Sequence, residues 1–249
     1  MIQRHPSAHY RFLRGIEPYS CGVAAEPGWE LARVSLSRWL GWREGFDFIE
    51  RYLRQLELGR NALCALELRS PAPFTMDGFI EFNRGYCSVL EDWGLLVGGL
   101  NPIARTNVAP ISPIPGSPSL HAFTFARPNP LLHRKSFVVA GAGELKQGIL
   151  KSENIVRRGE VAAEAIRDKA AYVLDVMEER LEGLGATWSE ATAVDIYTEY
   201  PLEGGLRAML LDRLGMAARH GLCWHLSRPP VREIEFEMDV RGIGTEINL

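Results

Sequence analysis

The polar and apolar positions of the chain predict a run of alternating strands and helices. Trp29–Arg38 alternates in part and predicts a strand. In Gly45–Gly59, Phe46, Ile49, Tyr52, Leu53 and Leu56 fall at helical spacings and draw one apolar stripe. Ala62–Leu68 is a short apolar run of the kind found in buried strands. Thr75 is placed to cap a second helix, with Asp77 in its first turn and Phe79, Phe82, Tyr86, Val89 and Leu90 turned inward. Ala104–Ile111 and Leu120–Ala126 predict two more strands, separated by the Pro/Gly/Ser-rich stretch Ser112–Ser119.

Arg127-Pro-Asn-Pro130 then interrupts the pattern, because each proline fixes its own φ and restricts the residue before it. Beyond it the order returns. Phe137–Ala140 predicts a strand, and Val156–Leu184 contains a long helix carrying Ile166, Ala170, Val173, Met177, Leu181 and Leu184 at steps of three and four, with Gly185 as its stop. Ala191–Tyr197 predicts a strand, Leu202–Leu214 a short helix, and His220–Leu226 and Arg232–Val240 the last two strands. Both halves thus run strand, helix, strand, helix, strand, strand, which predicts two α+β units, residues 1–127 and 131–249, each a mixed sheet with two helices on one face.

Composition narrows the classes. The chain has 249 residues, 46% hydrophobic and 24% charged, with a formal net charge of −3. That balance offers no basic footprint for nucleic acid. No apolar run approaches the roughly 20 residues of a membrane span, and the polar first residues lack the apolar core of a signal peptide. Cys21, Cys64, Cys87 and Cys223 are scattered without a CxxC pair, which predicts reduced thiols in a cytoplasmic protein.

Several segments carry candidate chemistry. They are Gly15-Ile-Glu-Pro-Tyr-Ser20 with Gly22-Val23, Asp77-Gly-Phe-Ile-Glu-Phe-Asn83 continuing to Tyr86, Ala104-Arg-Thr-Asn-Val108, Ala218-Arg219, and Glu233-Ile-Glu-Phe-Glu237. Together they resemble the motifs of the reactive-intermediate deaminase (Rid, or YjgF) family. The resemblance implies two tandem chorismate-mutase-like domains, a homotrimer with clefts between subunits, no cofactor, and hydrolysis of an enamine or imine acid. Carried over by motif, Arg105 binds the substrate carboxylate, Tyr19 and Asn83 line the cleft, and Ser35 loosely matches a cleft serine. Arg219 is the second-half arginine, and the family's glutamate falls on Glu235 or Glu233. The chain departs from the pattern at His121, near the glutamate position of the first half, at Arg207 near the second asparagine position, and at Asn107, where many members have cysteine.

Read as chemistry, the Arg105 guanidinium is a planar fork suited to a carboxylate. In Arg219-His220-Gly-Leu-Cys-Trp224-His225, His220 is a side chain of the type that moves protons and Trp224 has the surface to stack on a conjugated ligand. The two histidines are five apart and face opposite sides of a strand, which argues against a shared metal. Glu233, Glu235, Glu237 and Asp239 alternate with apolar residues and share one strand face, where Glu237 and Asp239 read as solvated. Gly141-Ala-Gly143 lacks the spacing of a phosphate loop. The expected activity is cofactor-independent release of ammonia from an enamine or imine carboxylic acid, with 2-aminomuconate or a related dicarboxylate as the specific candidate. Two alternatives stay open: chorismatase-like hydrolysis or lyase chemistry, and a binding module without catalysis.

Overall fold

The computed structural model describes residues 1–146 and 149–249. Twelve strands and four α-helices follow the chain. Three short strands come first, β1 (Ile2–Arg4), β2 (Tyr10–Leu13) and β3 (Gly22–Ala25). Then come β4 (Trp29–Gly41), α1 (Trp42–Gln55), β5 (Leu63–Arg69), α2 (Met76–Asp92), β6 (Ala104–Pro110) and β7 (Ser119–Pro128). The second half runs β8 (Phe137–Gly143), α3 (Ala163–Gly183), β9 (Ala193–Thr198), α4 (Gly204–Leu214), β10 (Cys223–Arg228), β11 (Glu237–Gly242) and β12 (Thr245–Asn248).

All twelve strands belong to one sheet, in the order β1-β2-β3-β8-β11-β9-β10-β6-β5-β7-β4-β12. This corrects the expectation of two tandem chorismate-mutase-like domains with a sheet each. The ladder passes from one half to the other at β10 and β6, where Ser227 pairs with Pro110 and Arg228 with Ala109. The first three strands sit beside the second half, with β3 antiparallel to β8. The last strand sits beside the first half, with β12 parallel to β4. Within that single sheet, β4-β7-β5-β6 and β8-β11-β9-β10 follow the same order, which is the repeat the element pattern carried.

Each part of the sheet buries its helix-facing residues in its own core. Leu66 and Leu68 of β5 pack with Ile49 and Leu53 of α1 and Tyr86 and Leu90 of α2. Met238 and Val240 of β11 pack with Ile166, Val173 and Met177 of α3 and Leu210 of α4. Thr75 caps α2 as its sequence position predicts, its Oγ1 accepting the Gly78 N–H at 3.1 Å. No helix among the described residues is long and apolar enough to cross a membrane.

The opposite faces of the two parts turn toward each other. Small residues, among them Ala65, Ala104, Ala126 and Ala140, form part of this contact. Charged residues form the rest. Arg33 donates to Glu67 at 2.6 and 2.8 Å, and Arg241 meets Asp195 at 2.5 Å, Asp239 at 3.2 Å and Glu67 at 3.9 Å. All five side chains are at most 10% exposed. Removing one partner from such a buried set leaves uncompensated charge and costs about 3–5 kcal/mol. Arg241→Met is therefore expected to lower the free energy of unfolding by that order in urea titration; an unchanged midpoint and slope would contradict the role assigned to this cation.

Candidate active site

Where the two parts meet beside the N-terminal segment, a cavity of about 290 Å³ opens. Its walls come from the 14–21 segment, α2, β6, β8, α3 and β11. Arg105 enters from β6 and is buried. Its Nη2 donates to Oδ1 of Asn83 at 2.7 Å. Its guanidinium lies 4.6 Å from the ring centre of Tyr86 and 5.0 Å from that of Tyr19. The α2 stripe explains the arrangement: Phe79, Asn83, Tyr86 and Leu90 are its buried residues, so the asparagine stands on the apolar face directly under the arginine. Nη1 of Arg105 has no hydrogen-bond partner among the described residues. A buried N–H left in that state is free to take a ligand oxygen.

Arg180 faces the same cavity from α3. Its Nη1 donates to the carbonyls of Ala140 and Gly141 at 2.8 and 3.3 Å, and its Nε has no partner among the described residues. Glu237, the first residue of β11, is 4% exposed and completes the polar lining. Burial pushes its carboxyl well above the usual range; the nearby Asp239 and Glu144 carboxylates add to this, while Arg180 and Arg105 oppose it. Tyr19 lies on the same wall, and burial raises its phenol against the pull of Arg105 and Arg180. Gly141 makes the close approach possible: a Cβ there would stand 2.4 Å from Oε1 of Glu237 and 3.1 Å from Thr106. The Gly141-Ala-Gly143 segment serves packing against the carboxyl rather than a phosphate.

Glu237 is held in place by a neighbour. The carboxylate of Glu144 accepts the backbone N–H of Glu235 at 2.7 Å and of Phe236 at 3.0 Å, and it meets Nζ of Lys169 at 3.0 Å. Glu144 and Lys169 are both fully buried. These N–H groups are spent on a side chain instead of a ladder, so β11 begins at Glu237 and not at Arg232. The expected four-acid strand face is thereby corrected. Glu233 lies in the preceding turn at φ 71° and pairs with Arg158 at the surface, 2.8 Å away. Glu235 is half-buried and outside the cavity lining. Glu237 and Asp239, expected to be solvated, are the two acids the fold buries.

Of the residues singled out in the sequence, Tyr19, Asn83 and Arg105 come together. The others lie elsewhere. Ser35 on β4 hydrogen-bonds Asn248 of β12 at 2.5 Å. Arg219 and His220 end a 3₁₀ segment, Gly215–His220, where Nε of Arg219 donates to Nε2 of His220 and Nη2 to the Ser189 carbonyl, each at 3.0 Å. Trp224 on β10 donates to the Thr198 carbonyl at 3.0 Å and is 45% exposed. Arg180, Glu144 and Lys169 are residues the sequence reading passed over, and Glu237 is one it read as solvated. Lys169 and Arg180 did leave a signal: each falls three residues after a member of the α3 apolar stripe, at Ile166 and Met177, where a charge belongs only if it has a partner inside.

A carboxyl whose folded-state pKa is raised contributes stability below its unfolded value, near 4.3, that is lost as pH rises through the folded value. Glu237→Gln removes this dependence. The variant is expected to gain stability relative to the parent on going from pH 4 to pH 8, read from paired denaturant titrations; a constant difference across that window would count against a buried, proton-holding Glu237.

Compared with known proteins, residues 2–247 match the family described as "2-aminomuconate deaminase CnbZ". A 2-amino-5-chloromuconate deaminase of Comamonas testosteroni is 40% identical over 239 residues, which is 95% of this chain and 94% of that protein. Among solved structures, a chorismatase aligns at a TM-score of 0.48 with 10% identity, over 89% of this chain and 77% of that one.

Proposed function

The chain belongs to the 2-aminomuconate deaminase CnbZ family, and from that premise we propose that it hydrolyses the C–N bond of an enamine dicarboxylate of the 2-aminomuconate type, releasing ammonia. The observation that carries the reading is one buried carboxyl, Glu237, facing a cavity whose two buried arginines, Arg105 and Arg180, enter from different elements. A conjugated dicarboxylate has an anion at each end and a basic enamine between them. Arg105 takes one carboxylate through its free Nη1, with Asn83 and the Tyr19 and Tyr86 rings holding the guanidinium in place. Arg180 takes the other.

Glu237 then works as acid and base in turn. Burial raises its pKa, the direction a proton-donating carboxyl needs. It gives that proton to the enamine carbon and leaves an iminium ion. The resulting carboxylate takes a proton from the water that adds to the C=N carbon, which forms the carbinolamine. The amino group leaves as ammonia once that proton is returned to it, and a keto dicarboxylate remains. As ammonia leaves, the hydroxyl proton of the carbinolamine passes to the Glu237 carboxylate while the carbonyl forms, so one turnover consumes one water and leaves Glu237 protonated again.

The test is turnover of 2-aminomuconate by the purified chain, followed by loss of the conjugated chromophore and by an enzymatic ammonia assay. Glu237→Gln is expected to lower kcat by roughly 10²–10⁴-fold. Arg180→Met is expected to lower kcat/KM by roughly 10–150-fold, the worth of one charged hydrogen bond of about 1.5–3 kcal/mol, and by far less for an enamine monocarboxylate. Loss of chromophore without ammonia, or turnover of chorismate in place of 2-aminomuconate, would sink the proposal.

A further inference from the structure

On the β9–β10 pair, outside the cavity lining, three side chains converge. The two strands run parallel, with Cys223 opposite Asp195 and His225 opposite Tyr197. Cys223 and His225 are two residues apart on one strand, so both stand on the face that carries Asp195. One ligand atom from each of Asp195, Cys223 and His225 lies within 4.8 Å of the other two. We propose that this trio is a binding site for a borderline-soft divalent cation of the Zn²⁺ class, taken by thiolate, imidazole and carboxylate with a fourth position open to water.

The surroundings prepare each ligand. Asp195 is anchored by one oxygen and faces the second ligand with the other: Oδ2 meets Nη1 of Arg241 at 2.5 Å, while Oδ1 stands 2.8 Å from Nε2 of His225. The His225 ring stacks on Tyr197, with centres 4.9 Å apart and planes 17° apart, which fixes the direction of its nitrogens. An anchored carboxylate and an oriented imidazole are the outer-shell arrangement metal sites require. Arg241 does not forbid a second cation here, because its charge is shared with Asp239 and Glu67 as well.

The site opens outward. Cys223 is exposed and the His225 side chain is 42% exposed, against 5% for Asp195. A cation entering from solvent takes the place between Nε2 and Oδ1, the neutral imidazole keeping its one proton on Nδ1, and the thiol proton of Cys223 is released to solvent. The spacing rules for zinc motifs do not reveal such a site, since only the two residues of Cys223-Trp-His225 are near in sequence and the third ligand arrives through strand register.

The experiment is titration of the reduced, chelator-free full chain with Co²⁺. One equivalent is expected to bind, with a thiolate-to-metal charge-transfer band and the visible absorption of a tetrahedral ion, and Zn²⁺ should displace it. Cys223→Ser, at an exposed position, should keep the parent's circular dichroism while losing the charge-transfer band and at least tenfold in affinity. His225→Gln should lose affinity similarly, and Cys87→Ser should change neither. Zn²⁺ should raise the Tm of the parent and of Cys87→Ser but not of Cys223→Ser. Absence of stoichiometric binding, or a Co²⁺ spectrum that survives Cys223→Ser, would overturn the site whatever the deaminase assay gives.

Discussion

Arg241 stands among carboxylates drawn from both parts of the sheet, and the closeness of those parts depends on that guanidinium. Asp195 and Asp239 come from β9 and β11, and Glu67 comes from β5 across the interface. Three acids this near one another inside a protein would repel and would each carry a desolvation cost. Their responses differ with position. Asp195 is held at about 2, despite its burial, mainly by Arg241. Burial and the Asp195 charge push Asp239 to about 7, against Arg241, and it accepts hydrogen bonds from Thr106 and Tyr197 at 2.8 and 3.0 Å. Thr106 is next to Arg105 on β6, and it also accepts the Gly141 N–H at 3.1 Å. The charged layer therefore reaches the cavity wall through one threonine: the hydroxyl that touches Asp239 on one side fixes the β8 backbone on the other.

A second buried pair does for the chain direction what Arg241 does for the sheet contact. Glu144 and Lys169 are fully buried and face no water. The Glu144 carboxylate collects two consecutive backbone N–H groups, at Glu235 and Phe236, just before β11. Without it those donors would be orphans at the end of a turn, and the strand would have no fixed start. The same carboxylate is one of the charges that keeps the proton on Glu237. One side chain thus sets both where the catalytic candidate sits and how tightly it holds its proton.

Much of the local structure was legible in the sequence, since it rests on period and capping. The α2 stripe placed Phe79, Tyr86 and Leu90 inward, Thr75 capped where it should, and the Arg105 segment is a strand. The long α3 helix followed its stripe and stopped before Gly185. Three things were not legible, each for a physical reason. Strands β1 to β3 and β12 are three or four residues long, too short to show a period, and they are strands because the opposite half supplies a ladder. The start of β11 depends on a side-chain acceptor, Glu144, that lies far away in sequence. Glu237 and Asp239 read as solvated because a charge normally is, and only the elements packed around them reverse that. The single twelve-stranded sheet is of the same kind: the order of elements repeats, but joining the halves is a matter of pairing, which a repeat does not specify.

The balance of charge in the cavity bears on how one carboxyl can serve as both acid and base. Arg105 and Arg180 weaken the hold of Glu237 on its proton, and burial with Asp239 and Glu144 strengthens it. In the reaction proposed above, a dicarboxylate engaging both arginines would cancel much of their field and expel water, strengthening that hold when an acid is required. After proton transfer to the enamine carbon, the new carboxylate would face an iminium cation instead of an anion. Its basicity would then be governed by that cation and by the incoming water. On that proposal the substrate's own charges switch the residue between its two tasks. The arginines must stay where they are through this cycle, and their existing contacts ensure it: Asn83 and two aromatic rings for Arg105, the Ala140 and Gly141 carbonyls for Arg180. Each arginine is fastened to the protein by some of its donors and has one donor without a partner among the described residues, the arrangement the proposal needs for holding a doubly charged molecule in one orientation.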